Sequence, residues 1–171
     1  MSDAILFAAL FAAYAVLHTA TAGGPGGAQL FDRQFVLVET LLLLTSSFTC
    51  GLAVIAARSR SKIGTWLALA ATLILGLSFL GMELSEFARL VAEGQNWQQS
   101  AFLSSFFTLV GTHGLHVFVG TLWILALFAH LAFRGLTPKT ERGIVYFSLF
   151  WHFLDIIWIC VFSLVYLLGS L

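Results

Sequence analysis

Five apolar runs, at about residues 4–21, 34–57, 63–91, 101–133 and 142–170, dominate this chain. Each has roughly 18 residues or more, enough for a helix to cross most or all of a bilayer core ~30 Å thick. Spanning strands need only ~10 residues and alternate in polarity; these runs are too long and too continuous for that. A leader peptide would account for one such run, not five. Hydrophobic residues make up 60% of the 171 and charged ones only 9%, too few to cover the surface of a soluble domain. "TAGGPGGAQ", Thr21 to Gln29, is a turn-rich loop that no helix continues through. The prediction is an all-α, polytopic transmembrane bundle of five helices, forming one membrane domain over residues 1–171.

Net charge is zero, but the cations are unevenly placed. The link after the second run carries Arg58, Arg60 and Lys62, and the link after the fourth carries Arg134, Lys139 and Arg142. Toward the other side lie only Arg33, in the first link, and Arg89, at the end of the third run. A five-span count puts the two basic links on one side of the membrane. The positive-inside rule makes that side cytoplasmic, which places the N-terminus inside and the C-terminus outside, in the periplasm. Trp66 and Trp97 fall near span ends, where interfacial tryptophans sit, and His18 and His130 read as interfacial too.

Several function classes find no support. There is no P-loop, no dinucleotide fingerprint and no basic patch for nucleic acid. No inverted repeat of the transporter kind is visible. Cys50 and Cys160 stand apart inside apolar runs and read as inert thiols.

The acids carry more information. Glu39, Glu83, Glu86 and Asp155 lie within runs, and Asp3 at the start of one. A central aspartate costs about 2.5–3.5 kcal/mol on insertion scales, so such residues face protein or water and need partners. Residues three and four apart share a helix face. That groups Trp151, Asp155 and Trp158, with His152 beside them; His113, His116, Gly120 and Trp123; and Gly76, Phe79, Glu83 and Glu86. Each stripe mixes small, aromatic and polar residues, as a membrane helix seam does. At ~1.5 Å per residue, Asp155 and His116 fall near mid-membrane, with Glu83 and His113 at a shared level further out. The expected pairs are Asp155 with His116 or His152, Glu83 with His113, and Glu86 with Arg89.

Three readings fit these acids and histidines: buried pairs that lock helices, a proton or ion path, or a metal site. E-x-x-E, H-x-x-H and H-x-x-D echo the i, i+3 ligands of di-iron bundles, but the Glu-x-x-His of those sites is missing. The hydroxyls of "LTSSFTCG", Leu44 to Gly51, can bond back to their own helix or across to a neighbour. The glycines of "GTHGLHVFVG", Gly111 to Gly120, let another helix approach.

"FVLVETLLLLTSS", "GMELSEF", "FLSSFFTLVGTHGLHVFVG" and "SLFWHFLDIIWICVFSLVYL" resemble subunit III of the haem–copper terminal oxidases, closest to the cytochrome o ubiquinol oxidase branch. The resemblance covers nearly the whole chain. Five spans fit the quinol-oxidase form, whereas the cytochrome c oxidase form has two more at its N-terminal end. The resemblance implies a stabilising subunit with no catalytic, cofactor-binding or metal-binding residue of its own. It implies direct contact with subunit I, which holds haem and copper, in a complex with subunits II and IV in the bacterial inner membrane. That complex oxidises ubiquinol, reduces dioxygen to water and pumps protons. It further implies that the first two helices lean away from the other three, opening a cleft for phospholipid. Glu83, Glu86, His113, His116, His152 and Asp155 fall on the family's motif positions and are expected to be buried structural polar contacts. In the family a polar tail and an aromatic-rich helix start precede "MSD", which here opens the sequence. The alternatives from other classes are a stand-alone membrane di-metal oxidase and a small proton-coupled transporter.

Overall fold

The structure, a computed structural model, describes residues 2–18, 20, 33–94, 98 and 100–167. These form five helices: α1 Ser2–Leu17, α2 Arg33–Arg58, α3 Lys62–Ala92, α4 Ala101–Arg134 and α5 Pro138–Val161. A π-helical turn, Phe162–Leu167, extends α5 and buries Val165 and Tyr166. Four of the helices, α2 to α5, are long and apolar enough to cross a membrane, while α1 has 16 residues. Trp97 and the loop 21–29 lie outside the described residues.

Local chemistry sets the helix ends. Ser61, Ser100 and Thr137 cap α3, α4 and α5, each side chain accepting a hydrogen bond from the backbone N–H three residues on. Pro138 follows its cap at the first helical position, where its missing N–H costs nothing. That signal starts α5 four residues before the apolar run suggested. Gly135 ends α4 at φ 66°, a conformation that glycine adopts without strain.

The helices α2, α3, α4 and α5 form a closed cycle of neighbours, and α1 lies outside it against α4. Small residues and hydroxyls determine the closest approaches. The Trp151 ring on α5 lies against Gly76 of α3 and Gly120 of α4: a Cβ at Gly120 would stand 2.5 Å from that ring, and one at Gly76 2.9 Å. The Trp151 indole donates to Ser46 Oγ at 3.1 Å, and Ser46 donates to the Thr72 carbonyl at 3.1 Å. Trp158 donates to Thr40 Oγ1 at 3.1 Å, tying α2 to α5 a second time. The arrangement corrects one expectation. The first two helices do not lean away together, because α2 is bonded to α5 and packs along α3 while α1 rests on α4.

The α2–α3 and α4–α5 links meet. Arg60 donates to the Leu136 carbonyl at 3.0 Å and stands 3.9 Å from Glu141, so the two basic links share one face of the bundle. At the opposite end, Phe102 N–H donates to the Ala20 carbonyl at 3.3 Å, joining the end of α1 to the start of α4.

Candidate functional site

Polar side chains gather inside the bundle at two levels. Nearer the end away from the basic links, Glu39 of α2 and Glu83 and Glu86 of α3 are buried and close enough to feel one another's charge. Tyr166, delivered by the π-helical turn, donates to Glu86 Oε2 at 2.9 Å. Glu86 and Arg89 line a cavity of about 120 Å³ with Phe35 and Ser85.

Glu83 and His113 are both buried, but they do not pair. Neither Glu83 oxygen nor either His113 nitrogen has a hydrogen-bond partner among the described residues. The Glu83 carboxylate rests instead on the backbone at Gly114, where a Cβ would stand 2.5 Å from Oε1. His113 is enclosed by aromatic rings, tilted 30° to Trp158 at 5.1 Å and edge-on to Phe79 at 5.9 Å. The expected pair fails because glycine leaves room for the carboxylate beside α4 and the indole takes the face of the imidazole.

His116 does not reach Asp155 either. Its Nδ1 bonds the Thr112 carbonyl at 2.7 Å, and its Nε2 lies 4.0 Å from Asp3 Oδ1 on α1. It therefore serves the α1–α4 contact, with Phe7 packed 5.2 Å from its ring. His152 meets Ser47 of α2, with 2.5 Å between Nδ1 and Oγ. Asp155 is 8% exposed and lies beside both Ser47 and His152, so a serine of α2 completes this group.

Sequence spacing did not single out Glu39, Ser47, Tyr166 or Asp3 as members of these groups. Each comes from a helix other than the one bearing the motif it joins, and spacing along one helix carries no information about its neighbour. Glu39 and Asp3 had a usable signal as acids within or at the start of a run, and Ser47 as a hydroxyl in an apolar run, whereas Tyr166 had none. His113, His116 and His152 turn toward different neighbours. Among the described residues, no three His, Cys, Asp or Glu side chains are placed to hold a metal ion together.

A glycine-seated tryptophan, a buried three-carboxylate group and histidines spread over α4 and α5 thus occupy the segments that carry the oxidase-like motifs. The family model for cytochrome c oxidase subunit III matches residues 1–170. The chain belongs to the cytochrome c oxidase subunit III family. It is similar to the cytochrome bo(3) ubiquinol oxidase subunit 3 of Pseudomonas aeruginosa, with 54% identity over 100% of this chain and 82% of the relative. The protein of that name from Pseudomonas putida is 51% identical over 100% of this chain and 83% of its own length. The quinol oxidase subunit 3 of Bacillus spizizenii is 47% identical over 98% of this chain and 82% of its own. As a subunit III with four long apolar helices, the protein is a multi-pass membrane component of a haem–copper oxidase complex.

Proposed function

We propose that this chain is the stabilising, non-catalytic subunit III of a proton-pumping ubiquinol oxidase in a bacterial inner membrane. The observation that carries this is the 54% identity, over 171 residues, to a protein named for ubiquinol oxidation. In this reading subunit I holds the haem and copper and contacts this chain directly, with subunits II and IV completing the complex. Electrons pass from ubiquinol to dioxygen without entering this subunit. Glu83, Glu86, His113 and Asp155, which are buried, and His116 and His152, which are half-buried, act as structural polar groups between helices. The basic links at 58–62 and 134–142 face the cytoplasm, leaving the N-terminus inside and the C-terminus in the periplasm. Phospholipid fills the groove of about 210 Å³ between α1 and α4, which Leu10, Leu17, Ser104 and Thr108 help to line.

The test is purification of the intact complex through a tag on this chain. Ubiquinol should support oxygen consumption where reduced cytochrome c does not. Oxidation of cytochrome c alone would overturn the choice of donor.

A further inference from the structure

A groove of about 460 Å³ runs down the outside of the bundle between α2 and α5. On the α2 side it is lined by Leu44, Phe48, Gly51 and Ile55, and in its wall lie Ser47, His152 and Asp155. The α2 positions are spaced four, three and four apart, the repeat with which one helix packs along another. At ~1.5 Å per residue the seam is about 16 Å long, three turns. Leu44 is 40% exposed, Phe48 67% and Ile55 63%, so none of the described residues covers it. A Cβ added at Gly51 would meet no atom within 4 Å. The described residues therefore make no use of the missing side chain, whereas a second backbone approaching closely would.

The polar wall narrows the choice of occupant. Asp155 is more than nine-tenths buried, yet its Oδ1 has no hydrogen-bond partner among the described residues. Ser47 lies about 16 Å along α2 from Arg58 at ~1.5 Å per residue, which puts the group near mid-membrane, far from any lipid headgroup. Acyl chains would fill the apolar part of the groove but offer no donor to the carboxylate. We propose that the groove receives a transmembrane helix of the neighbouring subunit, which seats a hydrogen-bond donor side chain against Ser47, His152 and Asp155. This rests on the reading above, in which the chain works inside an oxidase complex.

Gly51→Leu tests it, with Gly81→Leu as control, because a Cβ at Gly81 also meets nothing within 4 Å. Neither change should disturb the chain's own packing. Recovery of Gly51→Leu with the haem-bearing subunit should fall at least fivefold while Gly81→Leu is recovered normally. Equal recovery, or equal loss at both positions, overturns the proposal. A photo-crosslinking residue in place of Phe48, used in the membrane-embedded complex, supplies the second measurement. Capture of a transmembrane segment of another subunit, with a donor side chain near the attachment point, supports the proposal. Capture of lipid alone, or of a second copy of this chain, overturns it while leaving co-purification, and so the subunit reading, intact. Failure of the unsubstituted chain to co-purify with any haem-bearing protein removes both.

Discussion

Trp151 shows how single residues set the spacing of this bundle. Its ring fits only because Gly76 and Gly120 lack side chains. Gly120→Ala should therefore cost about 1–3 kcal/mol through overpacking, although alanine favours a helix over glycine. Gly81→Ala, with open space at its Cβ, should be neutral or slightly stabilising. Thermal unfolding of the two variants in detergent checks the contrast, and equal midpoints would show that Trp151 can move aside. Asp155 gives a second comparison. Asp155→Asn keeps shape and most bonding capacity, so assembly should survive. Asp155→Leu strips the polar partner from Ser47 and His152 and should cost about 1–3 kcal/mol, seen as lower recovery of the subunit. Ubiquinol oxidation per haem should change little in complexes that do assemble. Full assembly of Asp155→Asn with turnover abolished would make the residue a proton carrier instead.

Among the elements, helix identity was legible from the sequence because apolar length and capping residues act locally. The runs predicted for α2, α3 and α4 match Arg33–Arg58, Lys62–Ala92 and Ala101–Arg134 to within a residue or so. The stripe of Trp151, Asp155 and Trp158 is buried as its spacing implied. What spacing could not supply was the rotation of each helix against its neighbours. His116 turns to Asp3 because α1 packs on α4, and Glu83 misses His113 because Gly114 admits its carboxylate. The seam between α2 and α5 depends on hydroxyl–indole bonds that no single-helix pattern reveals. Trp158→Phe removes one of them, from Thr40, whose hydroxyl still donates to the Val36 carbonyl at 2.8 Å. A double-mutant cycle with Thr40→Val should return a coupling of about 0.5–1.5 kcal/mol, and no coupling would mean the indole finds another partner. The meeting of the two basic links through Arg60 puts them on one side. With Cys50 and Cys160 replaced, a thiol reagent added outside the cell should label a cysteine placed within 22–32 and spare Arg60→Cys. The reverse pattern would invert the orientation.

Across the described residues, the molecule is a ring of four long helices with a shorter fifth laid against it, and Glu39, Glu83, Glu86 and His113 are enclosed between helices. In the function proposed above, such a chain offers structure and docking faces while a neighbouring subunit holds the redox groups. The most direct test is to purify the complex through a tag on this subunit, record its optical spectrum and metal content, then dissociate the subunit and repeat both. A haem- and copper-bearing larger protein should come with the intact preparation, and the dissociated chain should carry neither. A dissociated chain that retains metal or haem and consumes oxygen with ubiquinol by itself would contradict the assignment of a stabilising subunit.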